Sequence, residues 1–378
     1  MLRRSLSLRQ APKIDFFPNG ACKITLDHPK ALNAVSHDTV KPMRDLLFDH
    51  IANPATNKVT RAFVIRGAGA KAFCSGGDVV SIAKNTPNDV RAKFFYTEYQ
   101  VNNAISEVHV PYVALWNGIV MGGGFGVSIH GSHRVASPQT LFAMPETAIG
   151  LFPDVGGSWI LPRLPHEGLG LFLALSGTRL KGGDTFHAGL ATSYARDVEH
   201  LDKIEDGILN GEKDVQGLIK EFSEPATAVP PFSLEKDLPK IKQYFGKHHT
   251  SLQSIVMGLK EATDDKWAQD LYNKLQFFSP TSIAVSYEAF QRGAACKTRA
   301  EMFEMEYRLV QQMANHHDFY EGVDALLLRK DKQPKWAPNS LDAVTSEQVG
   351  KMFEKRADNQ PTWDPRTLED DAFKGGYL

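Results

Sequence analysis

Between residues 21 and 26 apolar side chains alternate, with Cys22, Ile24 and Leu26 on one side, the period of two that a strand requires. Ala62-Phe63-Val64-Ile65 and Tyr112-Val113-Ala114-Leu115 are continuous apolar runs closed soon afterwards by glycine or asparagine, and they read as buried strands. Between them Val40, Met43, Leu46 and Leu47 fall at helical spacing. Strands and helices therefore alternate through the first two hundred residues, which predicts an α/β fold. Across residues 221–239 the pattern breaks, because Pro225, Pro230, Pro231 and Pro239 punctuate a polar stretch that no single helix can span. A domain boundary is expected there. Beyond it strand signals fade, and Thr298-Arg299-Ala300-Glu301 has the form of a capping box opening a helix with Met302, Met305, Leu309 and Met313 on one side. Those methionines read as core filler. The tail is expected to be mostly helical, and neither a fixed-period repeat nor a low-complexity segment interrupts the chain.

Composition narrows the class. At 378 residues, 42% hydrophobic and 23% charged, the chain matches folded soluble proteins and excludes global disorder, collagen-like repeats and a membrane bundle. A formal charge of −1 gives no whole-molecule field for collecting nucleic acid or anionic lipid. Cys22, Cys74 and Cys296 are too few and too scattered for a disulfide framework or a zinc site. The first fourteen residues hold Arg3, Arg4, Arg9 and Lys13 and no acid, the composition of a mitochondrial transit peptide spanning residues 1–13, with a short basic tail on a cytosolic protein as the alternative. The apolar stretch at 110–130 is broken by Asn117 and five glycines and is no membrane anchor. The last three residues do not match the peroxisomal address.

Three familiar patterns fail on inspection. Gly67-Ala68-Gly69-Ala70-Lys71-Ala72 satisfies a loose dinucleotide fingerprint, but Gly76-Gly77 follows where a helix should open. Gly126-Val127-Ser128-Ile129-His130 nearly spells a nucleophile elbow, but ends on His130 where glycine is needed. His248-His249 and His316-His317 are adjacent pairs whose side chains diverge, so they make poor metal ligands.

Two glycine clusters do carry chemistry. Cys74-Ser75-Gly76-Gly77-Asp78 and Met121-Gly122-Gly123-Gly124-Phe125-Gly126 each follow an apolar strand, and a helix beginning among the second set leaves free amides at its start. If the clusters converge, one N–H from each can hold a carbonyl as it becomes an oxyanion; tight turns with close backbone packing are the alternative. Downstream, Glu146 and Asp154 sit in an otherwise apolar, Gly/Pro-rich segment, residues 142–157. Burial there raises carboxyl pKa values and suits them to acid/base work, unless they merely cap a loop.

These residues resemble the enoyl-CoA hydratase/isomerase (crotonase) superfamily. The resemblance rests on His28-Pro29-Lys30-Ala31-Leu32-Asn33-Ala34, the two glycine clusters, Asn117-Gly118 and Pro145-Glu146, and covers about residues 14–336. Within it, residues 144–157, Met305-Glu306-Tyr307-Arg308-Leu309 and His317-Asp318-Phe319-Tyr320-Glu321-Gly322-Val323 look like the thioester-hydrolase branch. It implies an α/β, ClpP-like spiral of ββα turns over residues 14–225, with a mainly helical C-terminal region over 226–378. It also implies an oxyanion hole at Gly77 and Gly123, Glu146 and Asp154 as catalytic residues, and Glu98, Gly123, Glu146 and Asp154 as substrate contacts. Without it Glu98 reads as a solvated helix charge. Hydratases carry a second glutamate where this chain has Gly126, which disfavours hydration, since water must be deprotonated and directed while carbon is protonated. The implied reaction is hydrolysis of 3-hydroxyisobutyryl-CoA and related 3-hydroxyacyl-CoA thioesters in valine breakdown in the mitochondrial matrix. No metal or redox cofactor is implied, coenzyme A being part of the substrate. The resemblance leaves the oligomeric state open between a homo-oligomer, such as the trimers or hexamers frequent in the superfamily, and a packing changed by the long C-terminal region, and a structural place in the mitochondrial ribosome small subunit and an enoyl-CoA hydratase/isomerase are the alternatives to the hydrolase.

Overall fold

The computed structural model describes residues 11–84, 87–354 and 362–368, so most of the basic segment expected to be a transit peptide lies outside the described residues. Among the described residues ten strands form two sheets: β1 (Lys13–Phe16), β2 (Ala21–Leu26), β3 (Ala62–Gly67), β4 (Ala72–Cys74), β5 (Tyr112–Trp116), β6 (Ile119–Met121), β7 (His133–Ala136), β8 (Leu141–Ala143), β9 (Leu180–Lys181) and β10 (Ser193–Tyr194). The first sheet runs β1-β2-β3-β5-β7-β10 and the second β4-β6-β8-β9. From β3 to β8 sequence neighbours therefore alternate between the sheets: β3, β5 and β7 pass to β4, β6 and β8, and after β4 and β6 the chain returns to the first sheet one strand further along. Pairing along β3-β5-β7 and along β4-β6-β8 is parallel. This is the stacked spiral of ββα turns that the sequence reading implied.

The continuous apolar runs have a direct cause. Phe63, Ile65, Ala114 and Trp116 point into the main core, while Val64, Val113, Leu115 and Val135 point into a second one, so β3 and β5 are covered on both faces and have no polar side. The second core is closed by the Val198–Asn210 and Val215–Phe222 helices. The main core extends without a break from the sheets into the helices beyond residue 238.

From Leu238 onward the described residues form helices and no strand. The Arg299–Met313 helix opens on the expected Thr298–Glu301 capping box, and Met302, Met305, Leu309 and Met313 are buried. The His317–Val323 helix presses on the turn that carries Glu146. Gly150 has φ +77°, and a methyl group there would lie 2.2 Å from the Asp318 carbonyl, while one on Gly322 would lie 2.5 Å from the Ile149 carbonyl carbon. Helix propensity favours alanine over an interior glycine by about 1 kcal/mol, but this contact reverses the sign. Gly322→Ala is therefore expected to lower the melting temperature by several degrees, measured by thermal denaturation.

Candidate active site

Gly77, Gly123 and Glu146 lie just past β4, β6 and β8, three neighbouring parallel strands of one sheet. Parallel neighbours are spaced about 4.8 Å apart, so corresponding positions beyond their ends become spatial neighbours whatever their separation in sequence. A methyl group on Gly123 would lie 3.1 Å from the Gly77 nitrogen and 2.8 Å from Glu98 Oε1, and one on Gly122 would lie 2.9 Å from Glu146 Oε1. Gly77 is also tied to the loop after β2: Val35 N–H donates to Gly76 O (2.9 Å), and Asp78 N–H to Val35 O (2.8 Å). The Gly77 amide itself donates to no backbone carbonyl among the described residues. Gly123 opens a helix, so its N–H has no intrahelical acceptor. The two glycine clusters therefore converge, with two free amides side by side. Side chains at Gly122 or Gly123 would strike the carboxyls.

The Asn88–Ile105 helix runs along this cradle. Its Phe94 ring lies 3.5 Å from where a Gly77 methyl would be, and Glu98, one turn further, is only 2% exposed. The solvated charge suggested by local sequence is thus a buried acid. Glu98 Oε1 and Glu146 Oε2 have no hydrogen-bond partner among the described residues, and the Glu146 side chain caps no helix. Asp154 Oδ2 accepts a 2.8 Å hydrogen bond from the Tyr99 hydroxyl. No cation pairs with any of the three among the described residues.

Buried acids without counter-ions hold their protons. Desolvation, followed by repulsion from Asp154 and Glu146, raises Glu98 well above the usual carboxylate range. Desolvation and Asp154 do the same to Glu146. Asp154 is pushed up to about 7 by burial, with the Tyr99 hydrogen bond acting the other way. The three titrate as a set rather than singly, so near neutrality the site holds both an ionised carboxylate and a carboxylic acid.

The turn after Asp154 is strained and firmly held. Val155 has φ +50° and Gly156 φ +91°, and a left-handed β-branched residue is rare. His130 Nε2–H donates to Val155 O (2.9 Å), and burial depresses His130 to about 3, keeping it neutral. On the other side, Glu306 accepts from Gly156 N–H (2.9 Å), Ser158 N–H (3.1 Å) and the Ser158 hydroxyl.

Sequence reasoning gave Tyr99, His130 and Glu306 no role. Glu306 had a readable signal, because it interrupts the buried stripe Met302, Met305, Leu309 with a charge. Cys74, although beside the cradle, is no nucleophile, since burial pushes its thiol up to about 12. The Ser128 hydroxyl is spent on Gly124 O and Phe125 O, and β4 rather than a helix follows the Gly67–Ala72 turn. Neither the nucleophile elbow nor the dinucleotide fingerprint is realised. Lys30, Leu32, Asn33 and Lys71 border a cavity of about 450 Å³, joined to the strand exit that carries Gly77 by the hydrogen bond from Ser75 N–H to Leu32 O (3.0 Å).

The enoyl-CoA hydratase/isomerase family model matches residues 21–353, and the chain belongs to that family. It is 42% identical over 338 residues to a protein of Danio rerio named 3-hydroxyisobutyryl-CoA hydrolase, mitochondrial, covering 87% of this chain and 86% of that one. It is 40% identical over 339 residues to the Homo sapiens protein of the same name, covering 88% and 85%. Among solved structures, a carnitinyl-CoA dehydratase from Mycobacterium thermoresistibile superposes with a TM-score of 0.82 at 30% identity, covering 92% of this chain and 97% of that one. An enoyl-CoA hydratase from Rhodobacter sphaeroides gives 0.80 at 30% identity, covering 90% and 96%.

The electrostatics carry a test. Glu98 binds its proton more tightly folded than unfolded, so its contribution to stability falls as pH rises above about 4.3, the unfolded value. Glu98→Gln is neutral at every pH. It is expected to leave the melting temperature near wild type at pH 5 and to raise it at pH 8, by about 1–2 °C per kcal/mol of strain relieved. Calorimetry at the two pH values reads the difference.

Proposed function

We infer that the protein hydrolyses the thioester of 3-hydroxyisobutyryl-CoA and close 3-hydroxyacyl relatives, releasing the free acid and coenzyme A, in valine breakdown in the mitochondrial matrix. One observation carries the reading: a buried carboxyl with one unpartnered oxygen, Glu146, stands beside two adjacent free amides, while position 126 is closed to a second acid. A methyl group on Gly126 would lie 2.7 Å from Val155 Cβ and 3.0 Å from both polar atoms of the Asn102 amide. The glutamate that alkene hydration needs has no room.

In this reading the thioester oxygen sits between the Gly77 and Gly123 N–H groups, which stabilise it as the carbonyl carbon becomes tetrahedral; losing one such donor costs about 3 kcal/mol. Once its proton has passed to the coupled Asp154 carboxylate, Glu146 either attacks that carbon, giving an anhydride that water then opens, or takes a proton from the attacking water. Both routes pass through the same oxyanion and expel the coenzyme A sulfur, which takes up a proton from the protonated members of the acid set. The Asp154 carboxyl, oriented by Tyr99, and Glu98 receive the substrate 3-hydroxyl. Hydrolysis changes no oxidation state and calls for no redox cofactor. The cavity flanked by Lys30 and Lys71 suits the phosphates of coenzyme A, whose remote binding energy helps position the thioester.

Purified protein given crotonyl-CoA and 3-hydroxyisobutyryl-CoA in parallel is expected to release thiol only from the second. Hydration of crotonyl-CoA, with no thiol from 3-hydroxyisobutyryl-CoA, would sink the reading. Glu146→Gln should lower thiol release by roughly 10²–10⁴-fold while still binding coenzyme A, as titration calorimetry would register. Lys71→Glu is expected to raise KM about tenfold at nearly constant kcat, because it removes binding common to ground and transition states.

A further inference from the structure

The turn between Asp154 and Ser158 carries a β-branched residue, Val155, at φ +50° and has two anchors. His130 holds the Val155 carbonyl from the core side, and Gly156 packs so closely on its ring that an added methyl would lie 2.3 Å from Cε1. The Arg299–Met313 helix supplies the rest. Phe303 meets the His130 ring edge-on at 5.4 Å, and one turn along Glu306, fully buried, takes two backbone amides and one hydroxyl of the turn on its two oxygens. A buried carboxyl with every oxygen aimed at backbone donors two and four residues beyond Asp154 fixes a path that Val155 would not adopt unaided.

We propose that Glu306 is a positioning residue for hydrolysis: by clamping the Gly156 and Ser158 amides it sets where the Asp154 carboxyl meets the substrate. The inference rests on Asp154 acting in the reaction proposed above. It gives the helical C-terminal region a direct hand in the chemistry, since the clamp comes from that region and the clamped acid from the spiral. The Ser158 hydroxyl can donate to Glu306 or accept from it, so the clamp holds whether or not Glu306 carries a proton. A glutamine cannot replace it, because one oxygen gives way to an N–H donor facing a backbone N–H.

Glu306→Gln is the test, with 3-hydroxyisobutyryl-CoA as substrate. The expected result is a kcat lower by tenfold or more, a KM changed less than threefold, and coenzyme A bound as by wild type. Combined with Asp154→Asn, the change should cost little beyond Asp154→Asn alone, because a residue acting through Asp154 has nothing left to position. Losses that multiply in the double variant would mean a general structural role and overturn the proposal, as would wild-type kcat in folded Glu306→Gln. If Glu306→Gln does not fold, Ser158→Ala decides: a two- to fivefold fall in kcat at constant KM is expected, and unchanged kcat rejects the clamp. Impaired Asp154→Asn beside fully active Glu306→Gln rejects this inference alone, whereas an active Glu146→Gln rejects the reaction on which it rests.

Discussion

Parallel pairing of β4, β6 and β8 is the constraint from which the site follows. Each turn of the spiral leaves the second sheet at the same level, so whatever the sequence places just past those strands is stacked beside its counterparts. The first two exits bring Gly77 and Gly123 together and the third brings Glu146. Their separation along the chain is irrelevant to the geometry; their common position after a strand decides it. Small residues are then required for room. A methyl on Gly124 would lie 2.5 Å from the Cys74 carbonyl oxygen, so the second exit can approach the first only without a side chain.

The same stacking buries acids. Glu98 and Glu146 are brought to the amide cradle by different elements with no salt-bridge partner among the described residues, so burial and the nearby Asp154 raise both, and Glu146 raises Glu98 further. Such a cluster weakens the fold at neutral and alkaline pH and is sustained by packing elsewhere, chiefly the helices beyond residue 238. Two of them act on the site itself. The His317–Val323 helix seats against the Glu146 turn through Gly150 and Gly322, and the Arg299–Met313 helix grips the Asp154 turn through Glu306.

Much of this was legible in the sequence. Two-sided burial of β3 and β5 appeared as unbroken apolar runs, and the capping box at Thr298 marked its helix. The glycine clusters and the two acids of residues 142–157 were visible as chemistry, although the residues alone left tight turns and loop caps open as alternatives. Glu98 was not legible from its neighbours, because a helical acid with no charged partner nearby looks solvated until the opposing face is known; only the family resemblance pointed to it. Tyr99, His130 and Glu306 act through contacts with residues up to 150 positions away, and periodicity does not encode such contacts. Glu306 left one trace, a charge in an apolar stripe. That pattern marks a buried acid with obligatory partners, even when the partners cannot be named.

Position 126 links the acid this site lacks to the turn after Asp154. In hydratases, as the family resemblance implies, it carries a second glutamate; here it is glycine, and the space beside it is taken by Val155 and Asn102. Val155 stands there because the Asp154 turn follows a left-handed path held by His130 and Glu306. Loss of the second glutamate and placement of Asp154 are therefore one structural change seen from two sides. Restoring a glutamate at 126 alone would collide with Val155 before it could act on water, and relaxing the turn to admit it would carry Asp154 away from its hydrogen bond to Tyr99. On this scaffold the path of the backbone from Asp154 to Ser158 therefore decides whether position 126 has room for an acid beside the paired Gly77 and Gly123 amides.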